Sequence, residues 1–131
     1  MIVVDASVLA NAVGDDGVAG AAARAVLRGE DLSVPHLADV EVVSVLRRRW
    51  LAGLLTEARF ATAVDDLAAL PADRYPLLPL MPRAVELRAN VTPYDASYVA
   101  LAEILGCHLA TADRRLASAP GPRCPFDVVM A

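Results

Sequence analysis

The chain has 131 residues, 56% of them apolar, which supplies one domain with an ample core. No apolar run reaches the roughly 18 residues that a membrane-spanning helix needs. A net charge of −4 excludes a surface that holds polyanions by bulk electrostatics alone.

Met1 to Val4 is a short β-branched run, and Asp5-Ala6-Ser7 leads from it into a helix ending near Gly14. A second helix is predicted from Val18 to Arg28, stopped by Gly29, and Leu32 to Val34 reads as a strand closed by Pro35. His36 to Leu51 carries a long helical pattern. Thr56 caps the next helix, which runs to Leu70 before Pro71. Arg74 to Leu77 suits an edge strand, because a proline is tolerated there and not in a central strand. A short helix follows over Pro79 to Arg88. Thr92-Pro93-Tyr94-Asp95 opens a helix that Gly106 terminates; His108 to Thr111 is a strand, Asp113 to Ala117 a helical turn, and Asp127 to Val129 the last strand. Strands alternating with helices imply a parallel sheet covered on both faces.

Four acids stand out from this pattern. Asp5 and Asp113 each follow a strand directly, where open parallel sheets build their active sites, although each also suits an ordinary helix N-cap. Asp95 falls at the third position of a capping box begun by Thr92, which needs no chemistry to explain it. Glu41 lies in mid-helix among Val40, Val42, Val43 and Leu46, where a carboxylate withdrawn from water requires a cation or a pairing with one of Arg47, Arg48 or Arg49. Brought together, the four repel one another, and a divalent cation held by carboxylate oxygens relieves that repulsion. Setting these four aside leaves the rest of the chain neutral, and all 12 basic residues are arginine.

Other residues carry less. Cys107 and Cys124 lack metal-ligand spacing and are expected as free thiols in a cytoplasmic protein. His36 and His108 have no ligand spacing, and Trp50, Tyr94 and Tyr98 are expected in the core or at an interface. The absence of any lysine argues against a receiver-type signalling domain, and Ser7, two residues after Asp5, against a phosphatase with an aspartyl nucleophile and a second acid at that spacing.

The segments Ile2-Val3-Val4-Asp5-Ala6-Ser7, Pro35 to Glu41, Leu87 to Asn90 leading into Tyr94 to Glu103, and Leu109 to Leu116 together carry a resemblance that spans nearly the whole chain. The chain resembles the PIN-domain ribonucleases, and specifically the VapC toxins of type II toxin–antitoxin modules. The resemblance implies an α/β fold of three layers, α/β/α, with a central parallel sheet of about four to five strands in one domain over residues 1–131. It implies a Mg²⁺-dependent endoribonuclease, with Mn²⁺ as a substitute, whose catalytic acids are Asp5, Glu41, Asp95 and Asp113, with Asp5 and Asp95 as direct metal ligands. Ser7 and Thr111 match the small hydroxyl residues that accompany those acids. Arg114 and Arg115 are the candidate RNA contacts, with Arg47 to Arg49 behind them. The implied partners are RNA, a VapB-like antitoxin and a second copy of the chain, within a larger hetero-oligomer and with no membrane. A PIN-fold module that binds protein without catalysis is the alternative.

Overall fold

The computed structural model describes all residues from Met1 to Ala131. Five strands, β1 (Ile2–Val4), β2 (Leu32–Pro35), β3 (Ala72–Tyr75), β4 (His108–Thr111) and β5 (Phe126–Val128), form one sheet. Its order is β3-β2-β1-β4-β5 and every pairing is parallel. Seven α-helices connect them: α1 (Ala6–Gly14), α2 (Val18–Leu27), α3 (Leu37–Leu51), α4 (Glu57–Ala69), α5 (Met81–Glu86), α6 (Pro93–Leu105) and α7 (Arg114–Ser118). A short 3-10 turn over Leu78–Leu80 precedes α5. This is the three-layer α/β/α arrangement expected, with the upper of the two strand counts.

The sheet interior explains the composition. β1 is buried along its whole length, as parallel strands covered on both faces must be, and a single cluster of 32 buried apolar residues surrounds it. Helix α6 packs against β1, β2 and β4, and its residues Ala96 to Ala102 are all buried. The middle of that helix is mostly apolar because protein surrounds it there, and the helix ends at Gly106, whose φ of +65° is the left-handed cap a glycine adopts without strain. Helices α1, α2, α3 and α4 pack on one another as a second group.

Boundaries shifted by a residue or two from expectation. β3 begins at Ala72 rather than Arg74 because all four residues Ala72 to Tyr75 register with Leu32 to Pro35, and Pro76, without an N–H, ends the ladder. Both cysteines are free and buried, and burial raises the Cys124 thiol to about 11, so neither is poised as a nucleophile. His108 Nδ1 lies 3.1 Å from Asp127 Oδ1, an exposed pairing at the start of β4 and away from the four acids.

The order of strands has a consequence for function. Connections run from β1 outward to β2 and β3 on one side, while β4 and β5 extend the other side, so the topology reverses between β1 and β4. A crevice forms outside the carboxyl ends of strands at such a switch point.

Candidate active site

Asp5 and Asp113 stand at that switch point, on the ends of adjacent strands β1 and β4. Asp5 caps α1, its Oδ1 accepting from the Val8 amide at 3.2 Å and from Ser7 Oγ at 2.5 Å. Its Oδ2 accepts from the Thr111 hydroxyl, a contact that reaches across from the end of β4. Ser7 Oγ in turn accepts from the Ala112 amide at 3.2 Å, and Thr111 Oγ1 from the Asp113 amide at 3.0 Å. The two small hydroxyl residues thus stitch β1 to β4 through Asp5, which is only 5% exposed.

Glu41 comes from the second turn of α3. No arginine pairs with it: its Oε1 accepts from the Tyr98 hydroxyl of α6 at 2.6 Å, and Arg48 turns instead to Ser44 Oγ. Asp95 opens α6 as expected, with Thr92 Oγ1 accepting from its amide at 3.3 Å. Asp113 caps α7, receiving the Arg115 amide at 2.8 Å and the Leu116 amide at 3.4 Å.

The electrostatics show that the four acids share one neighbourhood. Burial raises the Asp95 carboxyl, and repulsion from Asp113, Asp5 and Glu41 adds to it, bringing it to about 6. Glu41 is raised by burial and by Asp5, against the lowering effect of the Tyr98 hydrogen bond. Asp5 is raised by burial even though Ser7, Thr111 and Val8 all favour its charged form. Not one of the four is in an ion pair; the arginines that do pair hold Asp16, Asp39, Glu86 and Glu103 elsewhere. As the side chains lie, no three of these carboxylates meet at one point: Asp5, Glu41 and Asp113 are each held by their own hydrogen-bond donors.

The wall beside the acids is basic. A groove of about 1030 Å³ includes Ser7 and Asp113 and is lined by Asn11, Arg49, Arg114 and Arg115. Arg114 and Arg115, which directly follow Asp113, both line this groove. Arg47 and Arg48 are exposed on the solvent side of α3 and do not line it.

Two roles in this region escaped the sequence reading, that of Tyr98 and that of Asn11, which engages the Arg49 already named with Arg47 and Arg48. Tyr98 is expected in the core or at an interface, and it is buried in the core, but its hydroxyl also orients Glu41. Its place three residues after Asp95 on one helix, hence on a shared face, was the available signal. Asn11 and Arg49 are joined by a 2.5 Å bond from Nη2 to Oδ1, and nothing local in either segment announces it.

The PIN domain family model matches residues 2–122. The chain belongs to the PIN-domain family. Ribonuclease VapC9 of Mycobacterium tuberculosis is 46% identical over 129 residues, 98% of each chain, and Ribonuclease VapC1 of the same organism is 41% identical over 128 residues, 97% of this chain and 96% of the relative. Among solved structures, M. tuberculosis VapC20, described as a sarcin–ricin loop cleaving toxin, superposes with a TM-score of 0.70 at 15% identity. The match covers 90% of this chain and 94% of VapC20, and at that identity it speaks for the fold. Within the PIN-domain family the chain therefore sides with the VapC ribonucleases, as its sequence segments suggested.

Proposed function

We propose that this PIN-domain protein is a divalent-metal-dependent endoribonuclease, the toxin of a type II toxin–antitoxin pair, that cleaves RNA by attack of water on a phosphodiester. The observation that carries the reading is the clustering of Asp5, Glu41, Asp95 and Asp113 around the β1/β4 switch point, with the carboxyls of Asp5, Glu41 and Asp95 raised and no ion pair on any of the four. An all-oxygen, uncompensated donor set fits Mg²⁺ or Mn²⁺.

Asp5 and Asp95 are the first choices as ligands. A bound divalent ion lowers the pKa of water and neutralises charge on the phosphoryl oxygens. The protein's own residues supply the rest. Ser7 and Thr111 hold the Asp5 carboxylate in one orientation, and Tyr98 does the same for Glu41. Glu41 and Asp113 would complete the oxygen shell around such an ion or orient the attacking water. Arg114 and Arg115 offset the acids' repulsion of an approaching phosphate. The resemblance implies products with a 5′-phosphate and a 3′-hydroxyl.

Replacing Asp5 or Asp95 with Asn keeps size and capping while removing a charged ligand, so RNA cleavage should fall by more than about 100-fold with the fold intact. Excess chelator should do the same to the wild type. Undiminished cleavage in either case overturns the reading. A cation titration by calorimetry separates it from a non-catalytic protein-binding module, which would take up no ion.

An antitoxin and a second copy of the chain are the proposed partners. Val40, Val43, Trp50, Leu51 and Leu54 leave an exposed apolar stripe along α3 and the turn after it, suited to an amphipathic segment whose cation reaches toward the acids. No helix is long and apolar enough to cross a membrane, and a cytoplasmic site of action fits an RNA substrate. Expression of the chain alone should arrest growth, and co-expression with the adjacent gene should restore it; harmless expression of an active, folded enzyme counts against the toxin role.

A further inference from the structure

Arg49 is set apart from the two arginines before it. Arg47 and Arg48 are exposed, whereas Arg49 turns inward across α1, donating from Nη2 to Asn11 Oδ1 at 2.5 Å and from Nη1 to the Ala10 carbonyl at 3.5 Å. Asn11 is itself buried, one of only five buried polar residues, and three of the others, Asp5, Ser33 and Thr111, lie on or at the ends of β1, β2 and β4. A guanidinium has five N–H donors in a fixed fork. Two are engaged here, which leaves three to meet a ligand, on a group already held in place and half withdrawn from water.

Its position gives those donors a target. The groove of about 1030 Å³ has Arg49 and Asn11 along one part of its wall, Ser7 and Asp113 in its lining, and Arg114 and Arg115 as further members. Asp5, Glu41 and Asp95 do not line it, so it abuts the acid cluster rather than containing it. Its volume lies just above the roughly 300–1,000 Å³ range of small-ligand sites, which is more room than one phosphate requires. A chain of phosphates reaching the acids must pass near a strongly negative site, and an anchored cation one step away offsets that repulsion.

We propose that Arg49, oriented by Asn11, is the seat of a backbone phosphate of single-stranded RNA outside the scissile bond, so that the strand lies in this groove between Arg49 and the Arg114–Arg115 pair. The proposal rests on the RNA-cleaving reading and adds a subsite to it. The ligand atoms are the non-bridging oxygens of a phosphodiester, which a planar guanidinium meets with two parallel hydrogen bonds. Such a contact carries no base information; it fixes the orientation of the strand in the groove and its register relative to the acids.

The alternative is that Arg49 only ties α3 to α1, and the test separates the two by charge. Binding of a fluorescent single-stranded oligoribonucleotide is measured by anisotropy in chelator across a range of salt, for wild type, Arg49→Gln and Arg49→Lys. Loss of one phosphate contact should lower the slope of log K against log salt by about 0.7 in Arg49→Gln, while Arg49→Lys keeps the charge and restores the slope. A structural tie would lower the melting temperature of both variants and leave both slopes at the wild-type value. An unchanged slope in Arg49→Gln, or no binding by the wild type in chelator, overturns the subsite. Cleavage of the same RNA by wild type with Mg²⁺ is scored separately: absence of cleavage defeats the ribonuclease reading, whereas cleavage with an unchanged Arg49→Gln slope defeats this inference alone.

Discussion

The Tyr98 hydroxyl donates to Glu41 Oε1 across 2.6 Å, joining α6 to α3 between residues 57 positions apart. The ring is 1% exposed, so Tyr98 is both a core residue and the group that orients a candidate catalytic carboxylate. Tyr98→Phe keeps the buried ring and removes only the donor. A hydrogen bond to a charged acceptor contributes about 1.5–3 kcal/mol, so kcat for RNA cleavage should fall by about 10- to 100-fold. Because that bond lowers the Glu41 carboxyl, the acid limb of the pH–rate profile should move to higher pH. A variant with wild-type kcat and profile would show that Glu41 needs no such orientation.

Stability should depend on pH through Asp95. Its carboxyl rises from 3.8 to about 6 on folding, so between those values the folded chain holds more protons than the unfolded one. Stability therefore falls as pH rises through this window, and the loss is complete above about pH 6. Asp16 and Glu103, whose carboxyls are lowered, work in the opposite sense, so the readout must be a difference. In chelator, Asp95→Asn should melt above wild type at pH 7, and the gap should close toward pH 4. A gap independent of pH would rule out the mutual repulsion argued for the site.

Arg114 and Arg115 follow the α7 cap directly and line the groove beside the acids. Replacing both with Ala should remove two phosphate contacts and lower the salt slope of RNA binding by about 1.4. Thermal unfolding should change little, because neither side chain makes an ion pair in the fold. A slope equal to wild type would move the RNA path to another face.

Gly20 offers a test of packing away from the site. In an ordinary helix Gly→Ala stabilises by up to about 1 kcal/mol, but a Cβ at Gly20 would lie 1.8 Å from the Asp15 carbonyl oxygen. That carbonyl is fixed by Arg24 Nη1 at 2.8 Å and cannot simply swing away. The clash should outweigh propensity, and Gly20→Ala should lose about 1–3 kcal/mol by denaturant titration. A stabilised variant would mean the α1–α2 turn is soft.

Local chemistry in the sequence accounts for most of the fold. β-branched runs, Thr56 and Thr92 as caps, Gly106 as terminator and the alternation of strand with helix each depend on neighbours a few residues away, and each element formed within a residue or two of its expected place. The four acids were legible for the same reason: Asp5 and Asp113 follow strands, Asp95 opens a helix, and Glu41 sits where an apolar helix has no use for it. Their bland explanations were also correct as far as they went, since Asp5 and Asp113 do cap helices. What the tertiary structure decided are the contacts between distant segments: Thr111 on Asp5 over 106 residues, Tyr98 on Glu41 over 57 and Arg49 on Asn11 over 38. Periodicity says which face of a helix is buried but not which partner it meets, so the orienting hydroxyls and the single inward arginine of three became visible only once the sheet order had set α1, α3 and α6 around one crevice.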